Sequence, residues 1–169
     1  MREPVRTVVV IAANPALSSI LAAMLATDPT LRVRQFDTLD AVRTYLCLAA
    51  VDLIVADFDC EAAPAGALTL ALRGNPQLDH RQFEVIALAH AIKPAIKLEA
   101  LRAGIAEVIV KPMSPRYLRE RVQARLRSRS DSQRPLKPRI GNEALQALIR
   151  RSDNVIPLFG RSAERPRHA

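Results

Sequence analysis

The sequence predicts an α/β fold: a doubly wound, five-stranded parallel sheet covered by helices on both faces, with a short basic C-terminal extension. Short apolar segments rich in Val and Ile alternate five times with segments whose apolar residues have helical spacing. The short segments are apolar on both faces, which is typical of strands buried between two helical layers. Right-handed crossovers make a doubly wound sandwich the natural arrangement of such units.

The predicted strands and helices follow one another in a regular order. Strands are predicted at residues 8–12, 31–36, 52–58, 84–89 and 107–110. Helices are predicted after Asn14 and at residues 38–49, 67–73, 95–103 and 114–127. Asn14 is suited to cap the first helix because its side-chain oxygen accepts backbone N–H groups, and Pro15 is tolerated at the first helical position. Gly104 is expected to end the fourth helix.

The charge divides the chain into two regions. The 169 residues carry a formal net charge of +8 and suit one domain with an appendage. Residues 1–115 contain 11 Lys and Arg against 12 Asp and Glu, whereas residues 116–169 contain 14 against 5. The basic excess therefore lies at the C-terminal end. We predict a domain over residues 1–129 and a basic linker, short helix and tail over residues 130–169.

The C-terminal region is too small for an ordinary helix-turn-helix output domain. Polar residues from Ser128 predict a linker. Residues 142–151 have the spacing of a short amphipathic helix, and residues 155–159 form a second apolar patch. A helix this short requires a surface to cover its apolar stripe. That surface could belong to the same domain, to a second copy or to a partner.

Cysteine content and hydropathy predict a reducing, cytoplasmic location. Cys47 and Cys60 are too few for a disulfide framework or a zinc site. We expect Cys47 to be in the core and Cys60 to be an ordinary loop cysteine. The apolar N-terminal segment could be mistaken for a signal peptide, but Asn14-Pro15 interrupts it. Because no apolar run reaches the ~18 residues that span a bilayer, no membrane contact is expected.

Functional residues of doubly wound sheets lie at the carboxyl ends of the strands. The first of these turns has no glycine, which argues against a dinucleotide-binding or P-loop enzyme, and no GxSxG motif occurs. The three histidines lack metal-ligand spacing. Asp57 ends the third strand and Lys111 follows the fifth, so both should face one crevice. A structural ion pair and a functional site are both open at this point.

Four segments carry a resemblance to a known family: residues 8–17 (VVVIAANPAL), 52–57 (DLIVAD), 103–107 (AGIAE) and 110–112 (VKP). Together they resemble the receiver domain of bacterial two-component response regulators, the CheY-like fold of the flavodoxin-like class. The resemblance covers residues 6–127 and implies a strand order of 2-1-3-4-5. It also implies that Asp57 is the position that accepts a phosphoryl group from a histidine kinase. Lys111 would contact the phosphoryl oxygens through its ammonium group.

The sequence departs from the family at four positions. The family's two acidic Mg²⁺ ligands after the first strand are replaced by Ala12 and Ala13, and methyl groups supply no oxygen ligands. Ala89 replaces the Ser or Thr that ends the fourth strand, and Val108 replaces the aromatic switch residue of the fifth. We therefore predict a degenerate receiver, or pseudo-receiver, that is phosphorylated weakly or not at all with Mg²⁺.

A role for Mg²⁺ is doubtful, and no cofactor is expected. Asp59 nevertheless offers a second carboxylate, so Asp57 and Asp59 are a candidate weak metal site. If the metal is absent, Lys111 could pair directly with Asp57 and hold one conformation.

The expected partner is a histidine kinase or another signalling protein. The family's usual partner face here comprises residues 93–103 and 114–127, with a basic end formed by Arg116, Arg119, Arg121, Arg125 and Arg127. A homodimer through the fourth and fifth helices is a second expectation. One alternative is a regulator that binds nucleic acid through its basic tail. Another is an enzyme of the same fold, although no catalytic constellation exists beyond Asp57 and Lys111.

Overall fold

The computed structural model describes residues 5–12, 14–59, 64–79 and 81–132, and it has five strands alternating with five helices. The strands are β1 (Arg6–Ile11), β2 (Leu31–Phe36), β3 (Leu53–Asp57), β4 (Glu84–Ala89) and β5 (Glu107–Val110). The helices are α1 (Pro15–Ala26), α2 (Leu39–Leu48), α3 (Ala65–Arg73), α4 (Pro94–Ala103) and α5 (Pro115–Ser132). All neighbouring strands are parallel and their order is β2-β1-β3-β4-β5. The predicted fold class is confirmed.

The sheet separates two apolar cores. Alternate residues of β3 face opposite sides, so Leu53 and Val55 pack in one core and Ile54 and Ala56 in the other. Helices α1 and α5 cover the first core, whereas α2, α3 and α4 cover the second. Every residue of β3 is buried, as expected for a central parallel strand. This double coverage leaves the carboxyl ends of the strands as the place where loops from different units meet.

The helix boundaries follow local sequence chemistry. The side chain of Asn14 accepts hydrogen bonds from the backbone N–H groups of Ala16 and Leu17, at 2.9 and 3.3 Å. Gly104 ends α4 in the left-handed conformation, with φ of 70°. Both observations match the sequence-based expectations, because Asn favours the cap position and glycine adopts positive φ without steric cost.

Helix α5 continues through Ser132, beyond Ser128, where the polar composition predicted a linker. The reason is tertiary contact. Arg129 Nη1 donates to the carbonyl of Asp52 at 2.7 Å, and Arg6 Nη2 donates to Ser130 Oγ at the same distance. These bonds hold the last turns of a polar helix against the amino ends of β1 and β3. The placement of a domain boundary at residue 129 stays a prediction.

Cys47 is exposed, so the prediction that it belongs to the core is wrong. Helix α2 buries Val42 and Leu46, which lie four residues apart on one face. Cys47 follows Leu46 by one residue and is therefore rotated away from that face. The prediction relied on the apolar neighbours of Cys47, but one of them, Leu48, is itself exposed.

Some sequence predictions fall outside the described residues. These are the positions of Ala13 and Cys60 and the features of the C-terminal region, namely the helix at 142–151 and the patch at 155–159. Within the part of the chain that the structure describes, no helix combines the length and apolarity needed to cross a bilayer.

A buried carboxylate joins β5 to α5. Glu107 is only 2% exposed. Its Oε2 accepts hydrogen bonds from Arg121 Nη2 at 2.8 Å and from Arg125 Nε at 2.9 Å. Glu107 therefore has its charge compensated twice, and it fixes one face of α5 against the edge strand.

Replacing Glu107 with Gln should destabilise the domain. The amide retains one acceptor but turns an NH₂ donor toward the arginines, so two partly buried cations lose their counter-ion. We expect a loss of about 1–3 kcal/mol in the free energy of unfolding, measured by urea denaturation. Glu120→Gln is the matched control, because it removes an exposed carboxylate that pairs with Arg116 on the same helix. It should leave the urea midpoint nearly unchanged. Equal midpoints for the two variants would contradict the role of Glu107.

Asp28 should make the stability depend on pH in the acid range. Burial alone would raise the pKa of Asp28, but hydrogen bonds from Thr30 and Gln123 outweigh it and lower the pKa below its usual value. A lowered pKa in the folded state stabilises the fold above the unfolded pKa, and this contribution is lost as the pH falls through the folded pKa. Asp28→Asn should therefore cost about 1 kcal/mol at pH 7 in urea denaturation. The difference from wild type should shrink below a pH of about 4. A constant difference across that range would contradict this.

Candidate functional site

The candidate site lies where β3, β4 and β5 end. These adjacent strands are in register, with Asp57 opposite Leu88 and Ala89 opposite Val110. The Lys111 backbone N–H donates to the Ala89 carbonyl at 2.8 Å, which extends the pairing one residue past β5. The chain then passes through a cis Lys111–Pro112 peptide bond into α5. The sheet thereby brings the side chains that follow three strands to one edge.

The structure places the two charged residues that stood out in the sequence side by side. The ammonium nitrogen of Lys111 lies 2.7 Å from Asp57 Oδ1. Each of the two side chains is only 11% exposed. An ion pair this sheltered from water interacts more strongly than a surface pair, because little solvent screens it. Asp57 also accepts a hydrogen bond from the Asp59 backbone N–H at 3.1 Å.

Asp59 completes a second carboxylate contact with the same ammonium group. Asp59 Oδ2 lies 3.1 Å from Lys111 Nζ. The same oxygen accepts a hydrogen bond from the His90 backbone N–H at 2.8 Å, and His90 Nδ1 lies 2.7 Å away. Because a carboxylate only accepts hydrogen bonds, Nδ1 is the protonated ring nitrogen in this arrangement. The side chain of His90 is otherwise 76% exposed.

The electrostatics of the site favour the ionised forms of both Lys111 and Asp59. Burial alone would lower the pKa of Lys111, but its hydrogen bonds to Asp57 and Asp59 raise it above the usual value. Burial alone would likewise raise the pKa of Asp59, whereas hydrogen bonds from Lys111 and His90 lower it. Each charged group therefore stabilises its partner, as expected for hydrogen-bonded opposite charges.

His90 is a site residue that sequence reasoning missed. The three histidines lack metal-ligand spacing, so spacing does not select His90. The available indication was position: His90 directly follows Ala89 at the end of β4, at the same sheet edge as Asp57. Its backbone N–H, which the residue type does not reveal, makes one of its two contacts with Asp59.

Resemblance to the family implies a Mg²⁺ ion at this site, and such an ion would need oxygen ligands. Ala12 lies at the end of β1, is 1% exposed and offers only a methyl group. The carboxylates of Asp57 and Asp59 both face the Lys111 ammonium. Among the described residues, no group of three His, Cys, Asp or Glu side chains is arranged to hold a metal ion. The described side chains are thus arranged around an ammonium group, and a weak metal site at Asp57 and Asp59 stays a prediction.

The two other positions at which we predict a departure from the family lie in β4 and β5. Ala89 is fully buried at the end of β4, and it presents no hydroxyl to the site. Val108 is partly buried and packs against the core that α2, α3 and α4 cover. Neither residue has a hydrogen-bonding side chain.

The expected basic face on α5 is partly paired within the domain. Arg116 pairs with Glu120, and Arg119 donates to the Thr27 hydroxyl. Arg121 and Arg125 both pair with Glu107. The sequence predicts a partner face with a basic end, because it shows the spacing of the arginines but not the buried carboxylate opposite two of them.

Comparison with known proteins supports the identification of the fold. The family model of the response regulator receiver domain matches residues 8–123. The cyclic di-GMP phosphodiesterase response regulator RpfG of Xanthomonas campestris pv. campestris is 34% identical over 113 residues. This alignment covers 64% of the present chain and 29% of RpfG. The chain thus spans less than a third of the length of this relative.

Solved structures show the same architecture. The signal receiver domain of NarL from Mycobacterium tuberculosis superimposes with a TM-score of 0.65 and 18% identity, covering 74% of this chain and 98% of that domain. The chemotaxis response regulator CheY4 of Vibrio cholerae gives a TM-score of 0.62 and 18% identity, with coverages of 71% and 98%. At this identity the likeness shows the fold.

The family match spans more than half of the chain and contains all five strands from Val8 onward. The observed sheet order agrees with it. The chain therefore belongs to the response regulator receiver domain family, whose members act in two-component signal transduction.

Proposed function

We propose that this receiver signals through contacts with other proteins and is phosphorylated weakly or not at all with Mg²⁺. In this proposal it has neither an enzymatic nor a classical DNA-binding output. The direct ion pair between Lys111 and Asp57, at 2.7 Å, is the observation that carries the proposal.

The ion pair matters because phosphoryl transfer depends on neutralising the charge of the transferred group. A carboxylate that attacks a dianionic phosphoryl group meets repulsion, which receivers of this family relieve with a metal ion. Ala12 supplies no oxygen for such an ion. The one ammonium group at the site already contacts both Asp57 and Asp59. Asp57 therefore lacks the charge-neutralising groups that phosphoryl transfer needs, although it occupies the family's acceptor position.

The residues that would convert phosphorylation into a conformational change are also replaced. Ala89 has no hydroxyl with which to bind a phosphoryl oxygen. Val108 has no ring that could move between an exposed and a buried position. With both devices missing, the domain is better suited to present one fixed surface than to alternate between two.

The surface formed by α4 and β5 is suited to a protein partner. Leu98, Leu101 and Val110 are 48%, 40% and 42% exposed, respectively. Exposed apolar side chains beside polar ones are typical of protein interfaces. We propose a histidine kinase, another signalling protein or a second copy of the chain as the partner. The pairing of Arg121 and Arg125 with Glu107 disfavours phosphate contacts by these two residues, since such contacts require available cations.

The phosphodiesterase activity in the name of RpfG is not proposed for this chain. The alignment leaves most of RpfG unmatched. Within the described residues, Asp57, Asp59, Lys111 and His90 form a closed network in which each charged group already has a partner.

Acetyl phosphate with Mg²⁺ should leave the wild-type chain essentially unlabelled, as measured by intact-protein mass spectrometry. The double variant Ala12→Asp/Ala13→Asp restores two carboxylates after β1, so it should bind Mg²⁺ and gain phosphate. Adding Asp57→Asn to this variant should abolish the gain and identify the acceptor. Stoichiometric, Mg²⁺-dependent labelling of Asp57 in the wild-type chain would overturn the proposed function.

A double-mutant cycle should show strong coupling between Asp57 and Lys111. Replacing Lys111 with Met leaves the sheltered Asp57 carboxylate without its ammonium partner, whereas Asp57→Asn removes the charge that the ammonium balances. We expect a coupling energy of about 1–2 kcal/mol in urea denaturation. The Asp40–Arg43 pair is a suitable control, because both of its side chains are largely exposed. Additivity at the Asp57–Lys111 pair would show that the contact does not hold the site together.

A further inference from the structure

Asp59 Oδ2 is the meeting point of three donors that come from two different loops. They are the ammonium group of Lys111 at 3.1 Å, the backbone N–H of His90 at 2.8 Å and the imidazole Nδ1 of His90 at 2.7 Å. A cation, a backbone amide and a ring N–H that converge on one oxygen form an arrangement suited to an oxyanion. Here the anion that these donors bind is the Asp59 carboxylate.

Asp59 lies beside Asp57, where it would compete with a phosphoryl group for the same donors. Asp57 and Asp59 share the Lys111 ammonium, and the Asp59 backbone N–H donates to Asp57 Oδ1 at 3.1 Å. A phosphoryl group on Asp57 would add negative charge next to the Asp59 carboxylate. It would also bring further negative charge to the one ammonium group that already contacts both Asp57 and Asp59.

We propose that Asp59 acts as a built-in counter-anion that occupies the donors an oxyanion bound beside Asp57 would use. This inference rests on the proposed function, and it adds the residue responsible. By binding Lys111 and His90 together, Asp59 ties the loop after β3 to those after β4 and β5 without a phosphate. It is a positioning residue, and it excludes small oxyanions such as phosphate by charge and by occupancy.

Titration with inorganic phosphate tests this role. The ¹⁵N-labelled full chain is titrated as wild type, Asp59→Ala and Asp59→Asn, and the amide resonances of His90 and Lys111 are followed by NMR. Asp59→Ala should bind phosphate with a dissociation constant at least about tenfold lower than wild type, equivalent to ~1.4 kcal/mol. Asp59→Asn should change in the same direction, because it keeps the side chain's size but removes its charge. If Asp59→Ala fails to fold, the phosphate affinity of Asp59→Asn alone tests the role of Asp59.

Two further variants separate a local effect from a change in net charge. Asp79→Ala removes an exposed carboxylate that precedes β4, at the opposite edge of the sheet, and it should behave like wild type. Adding Lys111→Ala to Asp59→Ala should abolish the gained affinity, because the released ammonium group is gone.

The outcomes for Asp59 and for the proposed function differ. If Asp59→Ala and Asp59→Asn bound phosphate no more tightly than Asp79→Ala, the role of Asp59 would be overturned while the proposed function stood. Mg²⁺-dependent phosphorylation of the wild-type chain would instead overturn the proposed function.

Discussion

One ammonium group contacts both carboxylates of the strand-end site. Lys111 lies after the last strand and contacts carboxylates that belong to the end of β3 and to the loop that follows it. Burying Asp57 without a counter-ion would be costly, so the position of Lys111 is a condition for the fold as well as for the site. His90 extends the same network to β4. Three loops that would otherwise move independently therefore share one electrostatic contact.

The opposite edge of the sheet is held by a second set of charges. Asp52 accepts hydrogen bonds from Thr7 N–H at 2.8 Å and from Arg6 Nη1 at 3.2 Å, and its carbonyl accepts from Arg129. Arg73 donates to the carbonyls of Ala103 and Gly104 at 2.8 and 2.7 Å, which ties the end of α3 to the turn after α4. Several arginine side chains of the domain thus make contacts within the fold. The formal charge of +8 consequently overstates how basic the described surface is.

The sequence was sufficient to predict the architecture because each strand and cap obeys a local rule. Continuous apolar strands, the Asn14 cap and Gly104 after α4 depend only on neighbouring residues. The errors at Cys47 and at the end of α5 have a different origin. Each depends on which long-range partner lies opposite, and composition and spacing do not reveal that. The same applies to His90, whose contribution comes partly from its backbone N–H.

Helix α5 connects the two charged edges of the sheet. Its 18 residues correspond to a rod about 27 Å long. The rod begins four residues after Lys111, and its last turns are held to the amino ends of β1 and β3 by Arg129 and Ser130. Ser132, the last described residue of α5, therefore lies at the opposite edge of the sheet from Asp57. Helix α5 is therefore one continuous element that joins the loop carrying Lys111 to the amino ends of β1 and β3.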